Sequence, residues 1–130
     1  MRLLLDTHFV YWAAIRLDLL STAEIDLIGQ AEERVISAVS FWELRLKWDR
    51  FHPSGTRKGP VDPADLLDAV TRGSFTLLPL SLLQAVTVLA TPIEHRDPFD
   101  ELLLAQAQAE GLRLLTRDRA LLTHPLALGV

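Results

Sequence analysis

Residues 97–118 read Asp97-Pro98-Phe99-Asp100-Glu101-Leu102-Leu103-Leu104-Ala105-Gln106-Ala107-Gln108-Ala109-Glu110-Gly111-Leu112-Arg113-Leu114-Leu115-Thr116-Arg117-Asp118. Aspartate suits a helix cap and proline the first helical position, so Asp97-Pro98-Phe99-Asp100 opens a helix. Leu102, Leu103, Leu104, Ala105, Ala107 and Ala109 cover nearly the whole circumference of that helix, which predicts burial on more than one side. Gly111 is placed to end it. Residues 112–115 then form an apolar strand that stops at Thr116-Arg117-Asp118. A helix sunk between other layers and succeeded at once by a buried strand is the unit of a parallel α/β sheet.

The same alternation extends outward from this stretch. Residues 3–5 predict a short buried strand and residues 9–15 a helix with Trp12 in the core. Ser21 with Glu24 three residues on is a capping box, and its helix is expected to run to about residue 33. The β-branched pair Val35-Ile36 leads into Ser37-Ala38-Val39, and Ser40-Phe41-Trp42-Glu43 opens another helix by the same pattern, extending to about Arg50. Residues 51–63 shift to Pro, Ser, Gly, Thr and Lys and read as a loop inside the domain. A helix restarts at Pro63 and ends at Gly73, succeeded by a third strand at 75–78 and an apolar helix at 81–89. After the strand at 112–115 come a short helical turn at 119–122 and an edge strand at 126–130. No internal repeat interrupts the series, which predicts one layered α/β domain over residues 1–130.

A chain of 130 residues is long enough to bury a single core without staples. It has no cysteine, which removes disulfides and thiolate metal sites and agrees with a reducing cytoplasm. Asp6 and His8 break the N-terminal apolar run before a signal-peptide core forms. No stretch reaches the roughly 18 consecutive apolar residues of a membrane span. A soluble cytoplasmic protein without membrane contact is the expectation. The formal net charge of -4 argues against nucleic-acid binding by bulk positive charge. Clustered acids holding divalent cations would invert the sign that a phosphate meets. Arg45, Lys47, Arg50, Arg57 and Lys58 fall in one short stretch, which also reads as an ordinary solvated helix face and loop.

Four acids stand where an apolar run ends or a helix begins: Asp6, Glu43, Asp100 and Asp118. In an open α/β sheet such positions gather outside the carboxyl ends of the strands. Acids at helix starts also cap free N–H groups. Here each start has another oxygen-bearing residue able to cap, namely Thr7, Ser40, Asp97 and Thr116, which leaves the acids to point elsewhere. Carboxylates gathered at one edge repel one another unless a cation joins them, and oxygen-only donors suit Mg²⁺ or Mn²⁺. Zinc fits poorly, since no HExxH is present and His8, His52, His95 and His124 are scattered. A serine triad lacks its GxSxG elbow, and neither GxGxxG nor GxxxxGK[ST] occurs.

Leu4-Leu5-Asp6-Thr7-His8, Ser37-Ala38-Val39-Ser40-Phe41-Trp42-Glu43-Leu44, the stretch from His95-Arg96-Asp97 to Gln106-Ala107, and Leu114-Leu115-Thr116-Arg117-Asp118 together resemble a PIN-domain ribonuclease of the VapC toxin type. The resemblance spans nearly the whole chain in the right order, and its third motif is the specific one. It implies a three-layer α/β/α sandwich around a parallel sheet, with the acids converging on one or two Mg²⁺ or Mn²⁺ ions. Carried over, Asp6, Glu43 and Asp100 match the family's metal-binding catalytic acids and Asp118 the more variable fourth. Asp97 is an auxiliary acid whose role as a helix cap competes with ligation, and Thr116 resembles the hydroxyl residue beside the site.

Two positions depart from the pattern. Glu101 stands where related toxins commonly have arginine, and Arg45-Leu46-Lys47-Trp48 is heavier and more basic than usual. The resemblance implies metal-dependent endoribonuclease action on RNA, best read where the bases are unpaired, together with a cognate antitoxin and a homodimer. The alternative is a catalytically silent PIN-fold module that binds RNA or protein. A phospho-acceptor receiver domain is disfavoured because it needs a lysine late in the chain, and the only lysines are Lys47 and Lys58.

Overall fold

The computed structural model describes residues 1–94 and 97–130, so His95 and Arg96 at the head of the third motif lie outside the described residues. In chain order the elements are β1 (Arg2–Leu5), α1 (Thr7–Ala14), a 3-10 turn (Leu17–Leu19), α2 (Thr22–Gln30), β2 (Glu33–Ser37), α3 (Ala38–Trp48), α4 (Pro63–Arg72), β3 (Thr76–Leu78), α5 (Leu82–Ala85), α6 (Pro98–Glu110), β4 (Arg113–Leu115), α7 (Arg119–Leu122) and β5 (Ala127–Leu128). Among the described residues the strands form one five-stranded sheet in the order β3-β2-β1-β4-β5. Every pairing is parallel.

Alternation along the strands divides the core in two. Leu3 and Leu5 of β1, Ile36 of β2 and Leu115 of β4 face one side, where Phe9, Val10, Ile28, Leu44, Leu66 and Val70 close over them from α1 to α4. Leu4, Val35 and Leu114 face the other side and meet Leu103, Leu104 and Ala107 of α6 and Leu121 of α7. Strands covered on both faces read as unbroken apolar runs, which is why Leu3-Leu4-Leu5 has no polar alternation. The layered α/β/α architecture expected from the sequence is the one observed. Each wholly buried leucine of this sheet contributes about 1.5–3 kcal/mol by removal from water.

The caps explain most helix boundaries. Ser21 and Glu24 form the expected capping box on α2, and Asp97 with Pro98 starts α6. Gly111, at φ 68°, ends α6 in the left-handed region that glycine adopts without strain.

Several boundaries differ from the sequence reading: α1 already begins at Thr7, two residues before the expected start, and β5 is confined to Ala127–Leu128. Helix α2 stops at Gln30, and Glu33 already belongs to β2. Helix α3 begins at Ala38, because the Ser37 hydroxyl accepts from the Val39 N–H and caps it. Ser40 is therefore inside the helix and fully buried rather than at its start. The expected helix at 81–89 is a single turn, Leu82–Ala85, capped by Ser81 and Gln84. The β-branched run Val86-Thr87-Val88 beyond it crowds a helix and extends no further turn.

A buried polar network ties the short α5 to the body. The Ser37 hydroxyl donates to Gln106 Oε1, Gln106 Nε2 donates to Gln84 Oε1 at 3.0 Å, and Gln84 Nε2 donates to Glu110 at 2.8 Å. Gln106 has no exposed surface, so each of these bonds replaces one that water would have made.

Candidate active site

From β1 the chain runs outward through β2 to β3 on one side, then returns through α6 to β4 on the other. The two halves of the sheet diverge between β1 and β4, the switch point at which open α/β sheets bind ligands. Asp6 is the first residue past β1, and its N–H donates to Leu115 O of β4 at 3.0 Å. One carboxylate oxygen of Asp6 caps α1 by accepting from the Thr7 N–H at 2.7 Å. The other accepts from Thr116 Oγ1 at 2.7 Å. Thr116 is itself buried and accepts from the Asp118 N–H at 3.0 Å. Burial pushes the Asp6 carboxyl above its ordinary range. The Thr116 hydroxyl, the Thr7 N–H and nearby His8 pull it partly back, and the charge of Glu43 adds to the rise.

Glu43 reaches the same place from the middle of α3, not from a helix start as its sequence position suggested. Thr7 Oγ1 donates to Glu43 Oε1 at 2.8 Å and lies 3.2 Å from the buried Ser40 hydroxyl. The second oxygen of Glu43 lies 3.1 Å from Lys47 Nζ, one helical turn on. Both oxygens of Glu43 are thus engaged by residues of this chain.

Asp97 and Asp100 come from the start of α6. Asp97 Oδ1 accepts from the Phe99 and Asp100 N–H groups, so it caps as expected. Asp118 caps α7 by accepting from the Ala120 N–H at 2.9 Å. Asp6 and Asp118 therefore both cap, although Thr7 and Thr116 stand beside them. The reason is geometric: each threonine hydroxyl bonds a side chain from a distant segment, Thr7 to Glu43 and Thr116 to Asp6, and a carboxylate has a second oxygen to spare. Asp6, Glu43, Asp97, Asp100 and Asp118 all line one cavity of about 390 Å³. Thr116 stands behind Asp6, and Glu101 is exposed outside the cavity.

Sequence reasoning gave no role here to Lys47, Arg117, His8 or Trp12, which line the cavity together with Thr7 and Phe9. Arg117 forms a forked pair with Glu24, Nε to Oε2 at 2.7 Å and Nη2 to Oε1 at 2.6 Å. Its guanidinium also lies 4.2 Å from the centroid of the Trp12 ring. The Arg117 hydrogen bonds hold the carboxyl of the buried Glu24 down to about 2. The cap role assigned to Glu24 concealed this pairing, whereas the i+4 spacing of Lys47 from Glu43 was a signal that could have placed Lys47 here. Trp12, expected in the core, is half-buried at its edge with His8 stacked on it at 5.6 Å. His124 is structural: its Nδ1 accepts from the Leu126 N–H and its Nε2 meets Thr91 O at 2.7 Å.

The family model described as PIN domain matches residues 3–124. Ribonuclease VapC22 of Mycobacterium tuberculosis is 32% identical over 136 aligned positions, which cover 93% of this chain and 90% of that protein. Two solved structures share the fold. VapBC2 from Rickettsia felis, bound to a DNA fragment from its promoter, gives a TM-score of 0.68 at 17% identity over 100% of this chain and 98% of that one. A toxin-antitoxin complex from Klebsiella pneumoniae gives 0.64 at 20% identity over 96% and 94%. With the switch-point acids, the sheet order and the matched residues in agreement, the chain belongs to the PIN domain family.

Proposed function

We propose that the chain is a metal-dependent endoribonuclease, the toxin of a toxin–antitoxin pair, acting on RNA in the cytoplasm. The observation that carries this reading is the gathering of five acids from four separate segments around one cavity at the switch point. The relative named a ribonuclease supports the RNA substrate.

The donors present fit Mg²⁺ or Mn²⁺. They are oxygen-only, and one of them, Asp6, is a carboxylate that burial makes reluctant to ionise alone, so a cation beside it is favoured. Among the described residues no three acids or histidines enclose an ion by themselves. Mg²⁺ and Mn²⁺ keep part of their water and take one or two carboxylates together with substrate phosphate oxygens. Asp6, Glu43 and Asp100 would hold it, with Asp118 as the fourth acid, while Asp97 caps α6 at the rim. When bound, such an ion supplies an acidified water and neutralises charge on the phosphate undergoing in-line attack.

The chain's own groups prepare that chemistry. Thr116 fixes the Asp6 carboxylate in one orientation, and Thr7 does the same for Glu43. Lys47 and Arg117 place positive charge on the wall of an otherwise acidic cavity, which favours approach of a polyanion. Two VapBC or toxin-antitoxin complexes among the fold relatives support an antitoxin as partner. A homodimer is supported by Leu82, Leu83, Val86 and Val88, apolar side chains lying 73–88% exposed at and beyond α5.

Expression without the neighbouring gene is expected to arrest growth, and sequencing of RNA 5′ ends in the arrested cells to show discrete new termini. Purified protein is expected to cleave RNA with Mg²⁺ or Mn²⁺ and not in chelator. Absence of cleavage under every metal condition, with RNA binding intact, would replace the enzyme by a silent RNA-binding module.

A further inference from the structure

A second cavity, of about 630 Å³, opens beside the acidic one and shares His8, Trp12 and Lys47 with it. Its walls are the exposed side of α1, with Tyr11 between the two shared rings, and the segment after α3, which contributes Arg50 and Lys58. That segment is pinned. Phe51 and Arg57 pair as an antiparallel bridge, and Lys58 N–H donates to Arg50 O at 3.0 Å. The Arg57 guanidinium lies 4.4 Å from the Trp48 ring and 4.7 Å from that of Phe51, and it donates to Trp48 O. At Gly59 a Cβ would lie 2.8 Å from the Trp48 backbone, so the loop lies against α3 as closely as a glycine allows.

Arg57 is thus consumed in holding the loop, and its two neighbours are not. Among the described residues the side-chain cations of Arg50 and Lys58 have no hydrogen-bond or ion-pair partner. In a chain of net charge -4, two uncommitted cations on a pinned loop facing an aromatic wall make a site for an anion that carries a flat ring.

We propose that this second cavity seats the nucleotide adjoining the scissile phosphate: an unpaired base lies against the aromatic wall of Tyr11 and His8, the latter backed by Trp12, and its flanking phosphates meet Arg50 and Lys58. The proposal rests on the ribonuclease reading and deepens it, because the junction at Lys47 lets one strand occupy both cavities. Paired bases are stacked on their neighbours and have no free face, so the wall selects single-stranded RNA.

The test uses the full chain and a fluorescein-labelled octamer of uridylate, with binding followed by anisotropy in chelator so that no strand is cut. Arg50→Ala with Lys58→Ala alters only exposed side chains and is expected to leave the melting temperature unchanged. It should lower the slope of log affinity against log salt by about 1.4, some 0.7 for each lost contact on a single strand. Tyr11→Leu keeps the bulk and removes the ring face, and should weaken the octamer roughly fivefold or more without changing that slope. In cleavage assays with metal the double variant should raise KM and spare kcat, the signature of lost uniform binding.

Unchanged slope, affinity and KM in variants of a parent that still cleaves RNA would overturn this site and leave the nuclease reading intact. A parent that never cleaves would instead sink the nuclease reading, and this site with it. Unaltered RNA binding with lost binding of the purified neighbouring-gene antitoxin would give the cavity to a protein segment and likewise overturn the proposal.

Discussion

Thr116 Oγ1 donates to Asp6 Oδ2 at 2.7 Å across the gap between β4 and β1, joining residues 110 apart in sequence. The same hydroxyl accepts from the Asp118 N–H, so one buried oxygen orients two of the acids. Thr116→Val keeps the shape and removes both bonds. Cleavage is expected to fall about 10- to 100-fold, the usual effect of removing a group that orients a metal-binding acid. The unpaired partners should cost about 1–3 kcal/mol in urea unfolding. Full activity in the valine variant would disconnect Thr116 from the chemistry.

Asp6→Asn separates activity from stability. Asparagine caps a helix as well as aspartate, so the bond to the Thr7 N–H survives. The folded-state carboxyl is raised; such a group stabilises the fold fully below its unfolded value, and that stabilisation is lost as pH rises through the folded one. Ionised Asp6 is therefore a burden at neutral pH. In chelator at pH 7 the asparagine variant should melt higher than the parent and cleave no RNA, with the melting difference vanishing in acid. Adding Mg²⁺ or Mn²⁺ should raise the parent's melting temperature by linkage and move the variant little. A variant that melts lower at pH 7 would contradict the electrostatic account.

Glu24 and Arg117 set an opposite pH dependence. The Glu24 carboxyl is lowered from 4.5 to about 2, so its stabilisation is complete above pH 4.5 and is lost as pH falls towards 2. Linkage bounds it at about 3 kcal/mol, and water around the half-exposed Arg117 reduces that to roughly 1–2 kcal/mol. Glu24→Gln should flatten the acid limb of the melting profile between those values. An identical acid limb in parent and variant would place the titrating group elsewhere.

Gln106→Leu tests the buried network under α5. It leaves Ser37 and Gln84 without their partner, and a loss of about 1–3 kcal/mol is expected despite the greater hydrophobicity of leucine. Hydrogen exchange should show earlier opening of residues 81–89. A stabilised variant would mean that the network contributes nothing net.

Leu83→Glu with Val86→Glu places two charges on the exposed apolar patch. If this patch joins two copies, sedimentation should show a dimer for the parent and a monomer for the variant, with the melting temperature of each monomer little changed. Equal mass for both would move the interface elsewhere.

The alternation of buried strands and capped helices was legible in the sequence, because burial pattern, proline, glycine and capping residues act over one or two turns, and the four acids singled out there are ones that the fold brings to one cavity. Asp97-Pro98 and Gly111 located α6 from local rules alone. Neighbouring residues could not say which oxygen caps and which points inward: Ser37 displaced Ser40, and Asp6 and Asp118 capped despite the threonines beside them. Nor could they show that Glu24 pairs with Arg117, that Thr116 orients Asp6, or that Lys47 and Trp12 form the walls. Those relations join segments as far as 110 residues apart. They arise only when the parallel sheet places β4 beside β1 and brings the ends of both strands to one cavity, since a hydrogen bond or ion pair acts over a few ångströms of space and takes no account of distance along the chain.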